Sequence, residues 1–276
     1  MEQCLHAYFI ADKEVRSCCD FIPSHFESDH YVYEVIRVIE GCPLFLDDHF
    51  QRLGKSCEMA SISQALGEPA LRRQLSVLIK MNQVREGNVK IMMSSADQKL
   101  KYVSAMWFIP ASYPSNSQYL NGVPLAMIDY QRQSPQMKIH RPDYKLLISK
   151  IMNERNVYEL LLVHDNMILE GSRSNVFFVN RNTVFTAPET QVLSGITRMK
   201  VIDCCKMLGI PLVLRAISLT ELPEMEAAFL SGTSPKVLAI NRIDDFSHFN
   251  PKHEIIKRIT RQYDWMIQQT ISESKD

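Results

Sequence analysis

The sequence predicts a mixed α+β (α/β) fold in two domains. Strand-like and helical segments follow one another along all 276 residues, a pattern typical of mixed folds. This length is long for one compact core and short for three, which predicts two domains or one large one. The stretch PASYPSNSQYLNG, residues 110–122, is rich in Pro, Ser and Asn, so we place the boundary there. The predicted parts are a small N-terminal α/β domain over 1–112, a linker over 113–122 and a larger C-terminal α/β domain over 123–276.

The N-terminal part is predicted to consist mainly of strands. Tyr31–Ile39 is β-branched and aromatic, and Glu40-Gly41 turns the chain into the apolar stretch 43–46, which together indicate a hairpin. Asp47 and Asp48 are candidate N-caps for the helix that follows. The other elements predicted here are strands over 6–10, 89–93 and 102–109 and a helix over 71–84.

The C-terminal part mixes both kinds of element. Helical spacing of apolar residues predicts helices over 144–154, over 197–208 with a stop at Gly209, and over 253–271. Apolar and β-branched stretches predict strands over 123–128, 159–163, 174–179, 211–217 and 229–230.

Composition excludes several classes of function. Lys plus Arg equal Asp plus Glu at 31 each, so no basic surplus points to nucleic acid or anionic lipid. The N-terminus lacks a secretory pattern, and no apolar stretch is long enough to span a membrane. Seven cysteines follow no metal-binding spacing, which predicts reduced, mostly structural thiols in a cytoplasmic protein without a metal. Dinucleotide, P-loop and nucleophile-elbow motifs are absent from the sequence.

Two short segments, DDHFQRL at 47–53 and RPDYKLL at 141–147, offer single cationic side chains. Arg52, taken alone, is most simply a solvated surface arginine. Lys145 and Lys150 lie five residues apart, about 140° around a helix, so they cannot face one site together. Each lysine, taken alone, is more often a surface residue than a nucleophile.

Three further segments carry small and hydroxyl-bearing residues: EGSRSNVF at 170–177, LSGITR at 193–198 and FLSGTSP at 229–235. The first suits a backbone folded tightly around a ligand, although a tight hairpin with a solvated glutamate explains it too. In the second, Gly195-Ile196-Thr197 opens a helix, so its free N–H groups form an anion site; a simple Thr197 N-cap is the alternative. The start of this helix and the turn at Gly232-Thr233 together suggest a phosphate cradle.

Five segments resemble, in this order, those of the class IV (fold type IV) PLP-dependent enzymes. They are YEVIRVIEGCPLFLDDHFQRL, the lysine of RPDYKLL, LEGSRSNVFFV, TAPETQVLSGITR and FLSGTSP. That family includes branched-chain aminotransferase, D-amino-acid aminotransferase and aminodeoxychorismate lyase. The resemblance runs from about residue 33 to 243. It implies two α/β domains with pyridoxal 5′-phosphate (PLP) in the interdomain cleft, and a homodimer.

The resemblance also implies a role for each matching residue. Lys145 would form the Schiff base with PLP and move the proton between the substrate Cα and C4′ of the cofactor. Glu170 would face the pyridine nitrogen and hold it protonated. Tyr33 would lie near the Schiff base, and Lys150 is a weaker alternative to Lys145. The implied cofactor-binding residues are Arg52, Lys145, Glu170, Ser174, Asn175, Gly195, Ile196, Thr197, Gly232 and Thr233.

Two departures from the family pattern concern the substrate. Many family members carry an arginine that grips the substrate carboxylate, but residues 88–95 contain none. Lys90 offers only a point charge there, and Arg141 or Lys101 are further candidates. FESDHYVY also lacks the Gly-Asp-Gly-like loop common in the family. Substrate specificity therefore does not transfer.

Three functions are compatible with these residues. The first is an aminotransferase acting between an amino acid and a 2-oxo acid. The second is an aminodeoxychorismate lyase that eliminates pyruvate to give 4-aminobenzoate. The third is a non-catalytic relative that binds PLP, since fold alone does not fix function.

Overall fold

The computed structural model describes residues 2–26, 31–63, 66–95, 101–245 and 247–274. The chain forms two compact units. Unit 1 contains residues 1–112, 137–143 and 268–276, and unit 2 contains residues 113–136 and 144–267. The Glu27-to-His30 part of FESDHYVY lies outside the described residues.

Unit 1 is built on an antiparallel sheet of six strands in the order β2-β1-β6-β5-β3-β4. The strands are β1 (Leu5–Ala11), β2 (Glu14–Ser17), β3 (Tyr31–Ile39), β4 (Cys42–Pro43), β5 (Glu86–Ser94) and β6 (Ser104–Ile109). Two helices follow β4, α1 (Leu46–Met59) and α2 (Glu68–Asn82). Short 3-10 turns occupy Cys18–Asp20 and Pro23–Phe26.

The two faces of this sheet have separate cores because side chains alternate along a strand. Val32 and Ile36 of β3 join a core that also contains Leu53 of α1 and Leu71 of α2. The opposite face carries an aromatic core of Phe9, Phe26, Tyr31, Tyr33, Tyr102 and Trp107. We call the first the helix face and the second the aromatic face.

Unit 2 is built on a sheet in the order β12-β11-β10-β14-β15-β7-β8-β9-β13, with β16 on β15. The strands are β7 (Val123–Asp129), β8 (Glu159–His164), β9 (Met167–Gly171), β10 (Asn175–Asn180), β11 (Thr183–Thr186), β12 (Leu212–Leu214), β13 (Ile217–Ser218), β14 (Ala227–Gly232), β15 (Lys236–Ile243) and β16 (Ser247–His248). The helices are α3 (Asn116–Asn121), α4 (Pro142–Arg155), α5 (Ile196–Met207) and α6 (Glu254–Glu273), with a 3-10 turn at Leu222–Glu224. Residues 142–143 of α4 and 268–273 of α6 belong to unit 1. The pairs β11–β12, β15–β7 and β7–β8 are parallel, and the remaining pairs are antiparallel.

Most predicted elements are confirmed, but the start of α1 and the strand predicted over 211–217 differ from the prediction. Helix α1 begins at Leu46 after Phe45, whose φ of 51° is left-handed and which gives no side-chain cap. The N-cap prediction for Asp47 and Asp48 was therefore wrong; both lie in the first helical turn, where their charge suits the helix dipole. The strand predicted over 211–217 divides into β12 and β13.

The predicted linker contains helix α3, which its composition did not indicate. Ser115 caps this helix: its Oγ accepts from the Gln118 N–H at 3.2 Å, and its own N–H donates to Gln118 Oε1 at 2.8 Å. This capping box satisfies two N–H groups that a helix start leaves unpaired.

Cysteine chemistry differs in part from the expectation of reduced thiols. Cys4 and Cys18 form a disulfide, so that prediction was wrong for this pair. Burial raises the pKa of the thiols of Cys204 and Cys205 to about 12, which keeps them protonated, as structural cysteines are. Within the part of the chain that the structure describes, no helix is both long and apolar enough to cross a membrane.

Candidate active site

The segment EGSRSN joins β9 to β10 and folds around a buried carboxylate, Glu159. Glu159 Oε1 accepts from the Arg173 backbone N–H at 2.6 Å and from Ser174 Oγ at 3.0 Å. A Cβ on Gly171 would lie 2.6 Å from the same oxygen, so a larger residue there would displace the Glu159 side chain. Burial raises the pKa of Glu159, although Arg173 acts in the opposite direction. The tight turn predicted from the sequence is present, but the role of Glu159 in it was not anticipated.

Glu170, at the end of β9, is 2% exposed and is held by a cation. Its Oε1 accepts from Arg132 Nε at 2.9 Å and also contacts the Arg132 Nη2 atom. Its Oε2 accepts from the Leu193 N–H at 3.2 Å and lies 3.5 Å from Asn175 Nδ2. Sequence reasoning missed Arg132, because residues 130–136 show no periodicity and match none of the quoted motifs.

Asn175 connects Glu170 to the start of helix α5. Its Nδ2 donates to the Leu193 carbonyl at 2.9 Å. A Cβ on Gly195 would collide with Asn175 Oδ1, so this glycine permits the close approach. Because one amide contacts both segments, the position of the Glu170 carboxylate and the position of the helix start are fixed together.

The start of α5 has the features of an anion site. Gly195 is the N-cap and provides no side-chain cap, which rules out Thr197 as the N-cap residue. Ile196 and Thr197 are buried in the first turn, where N–H groups lack helical partners and the dipole favours an anion. The alternative of a simple Thr197 N-cap is therefore wrong, and phosphate binding by this segment stays a prediction.

Strand β14 brings the second hydroxyl-rich turn to the same region. Asn175 of β10 pairs with Ser231 of β14. The Ser231 hydroxyl is buried and has no hydrogen-bond partner among the described residues. A Cβ on Gly232 would lie 3.5 Å from Ser174 Cβ, so the turn containing Gly232 and Thr233 adjoins the EGSRSN turn. An unpartnered buried hydroxyl is a group that a bound ligand would satisfy.

Lys145 lies on the exposed side of helix α4. The preceding residue, Tyr144, donates from its hydroxyl to the Ser172 carbonyl at 3.0 Å, which anchors the helix to the EGSRSN turn. Lys150 is on the same helix, and its side chain is 74% exposed and lies 3.9 Å from Glu154. Lys145 directly follows Tyr144 in the sequence, and its role as the Schiff-base lysine stays a prediction.

Arg52 is not a solvated surface residue. It is 8% exposed and lies on the helix face of unit 1. Its Nε donates to Glu34 Oε1 at 2.7 Å, and its Nη2 donates to Oε2 at 2.5 Å. His49 Nδ1 lies 2.7 Å from Oε2 of the same carboxylate. Glu34 and His49 therefore position Arg52, and its part in phosphate binding stays a prediction.

Tyr33 lies on the aromatic face, between two lysines. The Lys90 and Lys138 Nζ atoms are 4.8 Å and 5.0 Å from the centre of its ring. Lys90 is only 4% exposed, whereas Arg141 is half-buried and Lys101 is exposed. Of the cations considered for a substrate carboxylate, Lys90 is the one that the structure places against Tyr33.

Comparison with known proteins identifies the family. The model of the family described as Amino-transferase class IV matches residues 31–243. The chain belongs to this class IV aminotransferase family. It is 31% identical over 223 residues to D-alanine aminotransferase of Bacillus licheniformis, covering 77% of this chain and 78% of that protein. It is 22% identical over 259 residues to aminodeoxychorismate lyase of Bacillus subtilis (strain 168), covering 88% and 87%.

Solved structures show the same fold. The branched-chain amino acid aminotransferase of Thermobaculum terrenum, solved in its PLP-form, matches with a TM-score of 0.84. The match covers 97% of this chain and 96% of that one at 19% identity. This class IV family member therefore has fold type IV, as the sequence motifs predicted.

The buried ion pair of Glu34 yields a prediction for stability in acid. Burial alone raises the pKa of Glu34, but the charge of Arg52 and the hydrogen bonds from His49 and Arg52 outweigh it and lower the pKa to about 2. A lowered pKa in the folded state contributes stability above the ordinary value of 4.5, and that stability is lost as the pH falls towards 2. We expect Glu34→Gln to cost about 3 kcal/mol at pH 7, because it leaves a buried charge unpaired.

Urea unfolding of the wild type and of Glu34→Gln at several pH values measures this effect. The difference between them should narrow as the pH falls from 4.5 towards 2. Glu68→Gln is the matched control, because its pair with Arg72 is exposed and should be worth less than about 1 kcal/mol. A difference that stays constant with pH would show that the Glu34 charge is not what stabilises the fold.

Proposed function

We propose that this family member is a PLP-dependent aminotransferase that transfers an amino group between an amino acid and a 2-oxo acid. The observation that carries the proposal is the network in unit 2 that fixes Glu170, Asn175 and the start of α5 together. The match to D-alanine aminotransferase, at 31% identity, supports a transferase.

The residues of unit 2 fit the two ends of PLP. The uncapped start of α5, with Gly195, Ile196 and Thr197, would hold the phosphate. Gly232, Thr233 and the unpartnered Ser231 hydroxyl would add to the same cradle. Ser174 and Asn175 line this region, and Arg52 keeps the phosphate role that the family resemblance gives it. Glu170 is the buried carboxylate that would face the ring nitrogen.

PLP, when bound, supplies a carbonyl carbon that combines with amines and a ring that withdraws electrons. Lys145 would hold the cofactor covalently through its Nζ and, once released, take the proton from the substrate Cα. Glu170 would keep a proton on the ring nitrogen. Arg132 would hold the Glu170 carboxylate in place through its Nε contact, and Tyr33 would line the reacting centre.

An aminodeoxychorismate lyase is the second candidate. It is favoured by the match to the Bacillus subtilis lyase, which covers 88% of this chain. Both reactions would use Lys145 and Glu170 in the same way. They differ in whether the amino group stays on the cofactor after the first product leaves.

The visible absorption spectrum of the PLP-treated protein tests the proposal. Addition of a pool of L- and D-amino acids without an acceptor should abolish the visible band, because the amino group passes to the cofactor. A band that persists, together with 4-aminobenzoate formation from aminodeoxychorismate, would establish the lyase. A protein that shows no visible band after treatment with PLP would refute cofactor binding altogether.

The two lysines of α4 provide a matched pair for the covalent attachment. Lys145→Ala should abolish the visible band of attached PLP and lower turnover by about 10³-fold, because it removes the proton-transfer group. Lys150→Ala should leave both unchanged, since Lys150 lies five residues beyond Lys145, about 140° around the helix, and cannot face the same site. Borohydride reduction followed by peptide mapping identifies the modified lysine directly. Label on Lys150 would overturn the assignment.

Glu170→Gln isolates the role of the carboxylate. The amide keeps the shape of the side chain but cannot stabilise a protonated ring nitrogen, so PLP should remain bound while turnover falls at least about tenfold, equivalent to about 1.4 kcal/mol. PLP content by absorbance and kcat by a coupled assay measure the two effects separately. Unchanged turnover would contradict the proposed role.

A further inference from the structure

Lys90 is a buried cation whose surroundings are unusual for a lysine. It lies on β5 and points to the aromatic face, with its Nζ 5.0 Å from the centre of the Tyr31 ring, 4.8 Å from that of Tyr33 and 5.4 Å from that of Trp107. Lysine is almost never fully buried unless it is paired. Three aromatic rings stabilise the charge in part, but they do not replace an anion.

The N-terminal segment supplies that anion. Lys90 Nζ donates to Glu2 Oε1 at 2.9 Å and to the Tyr31 hydroxyl oxygen at 2.8 Å. Glu2 is itself only 7% exposed. The two charges are 88 positions apart in the sequence, so the pair is a tertiary contact, and its burial makes each charge dependent on the other.

Glu2 also faces a surface cleft. The cleft has a volume of about 260 Å³ and is lined by Glu2, Gln3, Cys4, Leu5, Cys18, Phe21 and Pro23. Glu2 thus belongs both to the wall of this cleft and to the contact with Lys90. Movement or shortening of its side chain would open Lys90 to a small molecule in the cleft.

We infer that Glu2 is a built-in carboxylate that occupies a monocarboxylate subsite formed by Lys90 and the Tyr31 hydroxyl. A carboxylate ligand binds there by displacing the Glu2 side chain, so Glu2 determines how strongly such ligands are held. That this ligand is an amino acid or a 2-oxo acid rests on the proposed function, because Tyr33 contacts the same lysine.

The chemistry of the subsite selects one negative charge. Lys90 offers a single positive charge, and its ammonium donates to one carboxylate oxygen of Glu2 and to the adjacent Tyr31 hydroxyl oxygen. The rings of Tyr31, Tyr33 and Trp107 surround the ammonium, and Lys138 lies on the Tyr33 ring. A dianion such as phosphate would bring a second negative charge that Lys90 alone does not neutralise, and burying that charge is costly.

Isothermal titration calorimetry with sodium propionate tests the inference on the full-length protein after PLP treatment. Propionate is a monocarboxylate with neither an amine nor a carbonyl, so it binds without turnover. The variants are Glu2→Gln, which removes the competing charge; Glu2→Ala, which also vacates its space; and Glu2→Ala/Lys90→Met, which removes the cation as well. Glu86→Ala, an exposed carboxylate on the same strand as Lys90, is the matched control.

Propionate affinity should rise from wild type to Glu2→Gln and again to Glu2→Ala, by about tenfold in total, which corresponds to about 1.4 kcal/mol. The double variant should bind none, Glu86→Ala should match the wild type, and propionamide should bind to no variant. Equal affinities in wild type and Glu2→Ala, binding that survives in the double variant, or no binding to any variant would each overturn the inference.

Thermal unfolding with propionate provides a second test in case a variant is less stable than the wild type. Glu2→Ala leaves Lys90 without its carboxylate, so propionate should raise its Tm more than that of the wild type, relative to sodium chloride at equal ionic strength. No such rescue would count against the subsite. A protein that fails to bind PLP but shows the rescue would refute the proposed function and leave this inference intact.

Discussion

Alternation of side chains along β3 is the constraint on which the arrangement of unit 1 depends. Neighbouring residues of a strand face opposite sides of the sheet, so Glu34 reaches Arg52 on the helix face while Tyr33 meets Lys90 on the aromatic face. Pairing of β3 with β5 along the whole of Tyr31–Ile39 fixes this register. A slip of one residue would exchange the two faces and bury Tyr33 where a carboxylate is needed.

In unit 2, polar side-chain contacts as well as strand register fix the positions of the candidate site residues. Asn175 contacts Glu170 and the Leu193 carbonyl, and its strand position pairs it with Ser231. One side chain thus connects the carboxylate, the helix start and the hydroxyl-rich turn. Glycine at 195 leaves the space that this amide requires. The residues of the candidate site therefore come from distant segments, but few atoms fix their relative positions.

Elements that depend on a local sequence pattern were predicted, whereas contacts between residues distant in the sequence were missed. Strand β3 was predicted with its observed bounds, because its β-branched and aromatic residues leave little alternative. Arg132 was missed because its segment has no periodicity, and its partner is 38 residues away. The pairing of Glu2 with Lys90 and the disulfide of Cys4 equally depend on folded distances that no spacing reveals. The N-cap prediction was wrong because Phe45, which precedes α1, has a left-handed backbone conformation. The identity of an aromatic residue does not indicate whether its backbone is extended or left-handed.

The anchoring of Tyr144 has a consequence for how this protein tolerates insertions and deletions. Because Tyr144 is tied to the Ser172 carbonyl, Lys145 follows it at a fixed angle around α4. Inserting one residue between them would turn the lysine by about 100°, and one residue added within β3 would turn Tyr33 to the other face. A small shift of the backbone would correct neither insertion, because each one rotates the side chain to another face of its element. Changes in chain length are thus confined to the connections outside these two elements.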